Sequence, residues 1–137
     1  MTSPRPRPSQ TPKTSGLAEV SYRLMRESAV REARGNPLVR EDFREAHPML
    51  LRAARSIGTP TNGMCPLCDE ERLVWVKYAF GPRLPAEGRC LENAADEERL
   101  THRVGVFTCR VVEVCCACTW NYLIHSYTVQ GLGAKTC

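Results

Sequence analysis

The 137-residue sequence has no long hydrophobic run. Its longest apolar stretches, Leu73 to Val76 and Val104 to Phe107, fall far short of the roughly 18 residues that a membrane-crossing helix needs. The N-terminal MTSPRPRPSQTPKTSG contains basic residues but no apolar segment behind them, so it does not read as a secretory signal, and a cytoplasmic protein is expected. No convergent Ser/His/Asp set, no paired carboxylates and no phosphate-cradling glycine loop occur, so no enzyme is expected. A zinc deaminase would need His-x-Glu upstream of Pro-Cys-x-x-Cys, and neither is present. No repeat of 20 to 50 residues is visible apart from two cysteine pairs.

The sequence does contain eight cysteines. In a reducing compartment, closely spaced cysteines bind metal more often than they form disulfides. The formal net charge of +4 would suggest a nucleic-acid partner if it were spread along the chain. Instead residues 1–16 hold three basic and no acidic groups, residues 17–58 eight basic and six acidic, and residues 59–137 eight basic and nine acidic. The basic excess belongs to the front, and the cysteine-rich half is nearly neutral, which argues against its tracking a phosphate backbone.

Residues 1–16, with Pro4, Pro6, Pro8 and Pro12, read as a disordered Pro/Arg tail, locally extended. An SH3-like ligand or a basic arm on nucleic acid is the functional alternative to a solvated leader. Residues 17–58 read as a helical segment. Ala18, Tyr22, Met25, Ala29 and Ala33 recur at steps of three and four, predicting a helix from Leu17 to Arg34 that stops at Gly35-Asn36-Pro37. A short helix is predicted from Arg40 to Ala46, burying Phe43. A third begins at His47-Pro48 and ends before Gly58, with His47 at its start rather than acting as a ligand or base. Arg23, Arg26, Arg31, Arg52 and Arg55 are candidate nucleic-acid contacts, but interleaved glutamates favour a solvated outer face.

TPTNG after Gly58 reads as a turn-rich connector. Three strands are predicted in residues 59–137: Arg72 to Phe80, Arg103 to Val114 and Thr119 to Val129. An insertion at about 81–102 is expected to form a mobile, acidic lid or spacer. Cys109, in phase with Phe107 and Val111, should be a buried thiol. In TWNYLIHSY, alternation places Trp120, Tyr122 and Ile124 on one face, and Asn121, Leu123, His125 and Tyr127 on the other. The second face is either a base-stacking surface or, the reading we favour, a surface covered by the helices.

Cys65 and Cys68 form CPLC before the first strand; Cys115 and Cys118 form CCAC before the third. The two-residue gap lets both thiolates of a turn reach one ion, so two such turns make a tetrahedral zinc site. The order of turns and strands is that of a zinc ribbon, and four thiolates close the coordination shell, which points to one structural Zn2+ and not to catalysis. A glutaredoxin-type reading of CPLC fails because a strand, not a helix, follows it. Cys116 is left over as a redox thiol candidate. A second site from Cys90, Cys109 and His102 has no recognisable spacing.

The segments AHPMLLRAARSIG, CPLC, LVWVKYAFG and VVEVCCACTWNYLIHSY together resemble a family of small actinobacterial proteins that form a domain of unknown function. The resemblance implies that Cys65, Cys68, Cys115 and Cys118 are the shared pairs and that Cys90, Cys109, Cys116 and Cys137 are peculiar to this member; it adds no mechanism. The expected fold is α+β, with N-terminal helices packed against a three-stranded antiparallel zinc ribbon. The expected function is a non-enzymatic binding module for a protein or macromolecular machine, such as the transcription or translation apparatus. Direct DNA or RNA binding and thiol/zinc redox sensing are the alternatives.

Overall fold

The three runs of β-branched and aromatic residues become the long strands of one sheet. The computed structural model describes residues 19–133, which excludes the predicted tail and Cys137. In chain order the elements are β1 (Glu19–Ser21), α1 (Arg23–Gly35), α2 (Pro37–Asp42), α3 (Pro48–Ile57), β2 (Thr59–Met64), β3 (Arg72–Phe80), β4 (Arg89–Leu91), α4 (Ala94–Leu100), β5 (Val104–Val114) and β6 (Asn121–Leu132). The fold is α+β. Its sheet is antiparallel and has six strands, not three, in the order β1-β6-β5-β3-β2, with β4 also paired to β3.

The unexpected strands come from tertiary pairing that overrides local signals. Glu19–Ser21 carries the helical period, yet it pairs with His125 to Tyr127 of β6, and helix α1 starts only at Arg23. TPTNG is no free connector: as β2 it pairs with β3, and Pro60, which lacks an N–H, is tolerated because the strand lies at the sheet edge. The second helix also lies earlier than predicted, at Pro37–Asp42. Asn36 and Pro37 end one helix and begin the next, since the Asn36 side chain accepts from Leu38 N at 2.9 Å and proline suits the first helical position. Phe43 follows this helix. His47 caps α3, its Nδ1 accepting from Met49 N at 3.0 Å.

Each face of the sheet receives its own cover. On one face Ala54 of α3, with Leu50 and Leu51, packs over Val76 and Val114. On the other, Leu91 and Leu100 pack onto Ala79, Phe107, Cys109, Ile124, Tyr127 and Val129. The insertion is therefore a docked element and not a loose lid. Glu97 of α4 accepts from Lys77 Nζ at 3.2 Å and from Tyr127 Oη–H at 2.7 Å, tying the helix to the sheet. Gly131 permits this closeness, because a Cβ there would collide with the carbonyls of Leu100 and Arg103.

The predicted alternation along β6 fails at one point. Val111 pairs with His125 but Val112 pairs with Leu123, so Ile124 is the extra residue of a β-bulge. The inward phase changes there from even to odd positions, and Tyr127, expected beside polar groups, is buried in the core. Cys109 lies beneath it as expected, and burial pushes its thiol up to about 12. A raised folded value favours the protonated thiol, so its stabilising contribution is complete below the ordinary thiol value and is lost as pH rises toward 12. Cys109→Ala is expected to flatten the alkaline arm of stability between those limits in urea unfolding; an unchanged arm would refute this assignment.

Candidate metal centre

Two short turns, at residues 65–71 and 115–120, have nearly the same backbone. In the first, Asp69 N–H donates to Cys65 O at 3.0 Å and Cys65 N–H to Glu71 O at 2.9 Å. In the second, Thr119 N–H donates to Cys115 O at 3.0 Å and Cys115 N–H to Trp120 O at 2.9 Å. Each turn closes on a left-handed residue directly after its second cysteine, Asp69 at φ 55° and Thr119 at φ 69°. For β-branched Thr119 that conformation is costly. Its hydroxyl offsets part of the cost by donating to Arg44 O.

The consequence of this shape is a set of amides aimed at sulfur. The N–H groups of Leu67 and Cys68 point at Cys65 Sγ, and those of Ala117 and Cys118 at Cys115 Sγ. The amide of Glu70 serves Cys68 and that of Trp120 serves Cys118, the same relative position in each turn. Donors to sulfur favour the thiolate.

The two turns meet face to face. Cys65 Sγ lies 3.6 Å from Cys118 Sγ, Cys68 Sγ lies 3.7 Å from Cys115 Sγ, and all four sulfurs fall within 4.8 Å of one another. These are not disulfide separations, which are about 2.05 Å. They match the edge of about 3.8 Å between sulfurs placed tetrahedrally about 2.3 Å from a zinc-sized ion. Cys65, Cys115 and Cys118 are buried and Cys68 is half-buried. Burial raises the thiols of Cys65 and Cys118 and carries Cys115 to about 11, with the turn amides pulling the other way. At Cys68 burial also raises the value, but the Glu70 amide and the neighbouring thiols outweigh it and leave it low. Amides that favour thiolates inside a site whose burial disfavours them make chemical sense when a cation supplies the balance. The donor set and its spacing fit a metal ion.

The helical segment covers this end of the sheet. Val30 of α1, Leu73 and Trp120 pack against Cys65, Cys115 and Cys118, with Phe43 and Tyr122 alongside. Phe43, Trp120 and Tyr122 form an aromatic group with centroids 5.6 to 5.9 Å apart. Three arginines bind the carbonyls of the turns: Arg34 Nε donates to Pro66 O at 3.0 Å, Arg44 Nε to Cys118 O at 3.2 Å and Arg55 Nη2 to Cys116 O at 3.5 Å. Behind the turns Glu113, only 4 % exposed, accepts from both Arg26 Nε at 2.5 Å and Trp120 Nε1 at 2.9 Å.

The four cysteines are read from the sequence, but Glu113 is missed, and with it the pairing to Arg26 and Trp120. The signal is present: in FTCRVVEVC, Glu113 shares the inward phase of Phe107, Cys109, Val111 and Cys115, and an inward carboxylate demands a cation or donors. Of the candidate nucleic-acid contacts, Arg26 is consumed by Glu113 and Arg55 leans on the second turn. Arg23, Arg31 and Arg52 are exposed on two different helices. Cys116 does not join the sulfur cluster. It is half-buried among the side chains under α3, and burial raises its thiol, with Arg55 partly opposing. Cys90 and Cys109 pack into cores on opposite sides of the sheet, so they form no second site with His102, and no other metal-competent cluster occurs among the described residues.

Residues 16–136 match the family described as a family of unknown function, DUF5318. The chain belongs to this family. This DUF5318 chain is 36% identical over 110 residues to the uncharacterised protein Rv0049 of Mycobacterium tuberculosis strain H37Rv and to the uncharacterised protein Mb0050 of Mycobacterium bovis. In each case the match covers 80% of both chains. No solved structure matches it. Among the described residues no helix is long and apolar enough to cross a membrane.

Proposed function

We propose that Cys65, Cys68, Cys115 and Cys118 hold one Zn2+ in a closed structural site, making this a zinc-ribbon-like protein that acts by binding and not by catalysis. The observation that carries this reading is the convergence of four sulfurs at tetrahedral spacing, served by amides at matching positions in two turns. Four thiolates with Cys-x-x-Cys spacing suit tetrahedral zinc, a frequent occupant of such structural sites. Four protein ligands leave no coordination position for water or substrate, which supports a role in folding rather than chemistry. A protein partner, such as a component of a cytoplasmic macromolecular machine, suits the near-neutral balance of residues 59–137. Direct nucleic-acid binding through the arginines is less well supported, because two of the five candidates already serve the fold.

Elemental analysis of the purified protein tests the site. One zinc per chain is expected, retained in Cys116→Ala and lost in Cys65→Ala, Cys68→Ala and Cys118→Ala. Loss of metal in Cys116→Ala with retention in Cys118→Ala would transfer the ligand role and refute the assignment.

A further inference from the structure

A second feature lies away from the cysteine centre and does not depend on it. Beside α4 and β4 is a cleft of about 240 Å3 lined by Arg89, Arg99 and Arg103 together with Glu92, Asp96 and Leu100. Three guanidiniums around one small space repel one another unless carboxylates are interleaved. Only Arg99 is compensated by contact, through its ion pair with Asp96. The other Asp96 oxygen accepts from Glu92 N at 2.8 Å, so that carboxylate is already committed on both sides. The Glu92 amide holds Asp96 below its usual range; burial opposes it, and Arg99 and then Arg89 add to the lowering.

Arg89 and Arg103 have no side-chain hydrogen-bond or ion-pair partner among the described residues. The lining holds three arginines against the two carboxylates of Glu92 and Asp96, which leaves one positive charge in excess. Arginines without a partner on the lining of one cleft suit planar or tetrahedral oxyanions, which a guanidinium binds with two parallel N–H donors. The volume limits the guest, since sites for drug-sized ligands run from about 300 to 1,000 Å3. The cleft suits one small anionic group rather than an enclosed drug-sized ligand.

We propose that this cleft binds a small oxyanion, a carboxylate or phosphate group, through Arg89 and Arg103, with Arg99 in support and Glu92 limiting the affinity. Its two chemical sources are separated by titrating the full, metal-loaded chain with inorganic phosphate or with succinate at constant ionic strength, read by amide NMR shifts. Saturable shifts confined to about residues 89 to 103 are expected with at least one of the two. Stronger binding of phosphate identifies a phosphate ligand, and stronger binding of succinate a carboxylate. Arg89→Gln and Arg103→Gln should each weaken binding about tenfold, the usual effect of losing a charge-assisted bond. Glu92→Gln should tighten it, a gain that damaged folding cannot produce. Shifts that grow linearly with both anions, or that neither the arginine variants nor Glu92→Gln alter, would overturn the proposal.

Discussion

Cys115→Ala is expected to leave no cooperative unfolding transition at neutral pH, rather than a transition at a lower temperature. Structural zinc in small cysteine sites contributes about 10–16 kcal/mol of binding free energy, which becomes folding free energy where no site exists in the unfolded chain. That matches or exceeds the whole stability of an ordinary domain, about 5–15 kcal/mol. Cys115 is fully buried and its sulfur faces Cys68 at 3.7 Å, so deleting it opens the shell at its centre. The surrounding group of Val30, Leu73 and Trp120 is too small to hold the two turns together alone. Arg34 and Arg44 bind carbonyls of those turns, so α1 and the segment after α2 lose their anchors as well. Near-UV circular dichroism of Trp120 and thermal melts measure the effect. Acidification should act in the same direction: protons compete with the metal for thiolates, so affinity falls with pH. A sharp melt in Cys115→Ala within a few degrees of the parent would refute a metal-dependent fold.

Glu113→Ala is expected to destabilise the metal-loaded protein by about 3–5 kcal/mol, the cost typical of breaking a buried ion pair from one side. The substitution removes one acceptor but strands two donors, the Arg26 guanidinium and the Trp120 indole N–H. Arg26 keeps 19 % of its side-chain surface exposed and can recover some hydration, whereas Trp120 is fully buried and cannot. The double variant Arg26→Met with Glu113→Leu should recover part of the loss, because it leaves no buried charge unpaired but still strands the buried Trp120 indole N–H. Urea unfolding of the two variants measures both. A loss below about 1 kcal/mol in Glu113→Ala would place the pair with exposed salt bridges.

Much of the site was legible because its chemistry is local in sequence. Cys-x-x-Cys turns dictate their own geometry, and the long strands β3, β5 and β6 announce themselves through β-branched residues at a period of two. What escaped depends on contacts made far along the chain. Glu19–Ser21 becomes a strand only because β6 offers an edge more than a hundred positions later. The bulge at Ile124, which returns Tyr127 to the core, leaves no mark in TWNYLIHSY, because alternation carries no information about an inserted residue. The acidic insertion looked loose because only Leu91, Ala95 and Leu100 were available for packing. Its docking rests also on polar bonds from Glu97 to Lys77 and Tyr127 and on the missing side chain of Gly131. Arg26 shows the same limit from the other side: a surface cation by helical pattern, it is the partner of a buried carboxylate 87 positions away.

X-ray absorption at the zinc edge on the purified protein reads the ligand shell directly. A single shell of four sulfurs at about 2.3 Å is expected, with no nitrogen or oxygen ligand. A shell containing nitrogen or oxygen, or protein that is folded and free of zinc, would contradict it.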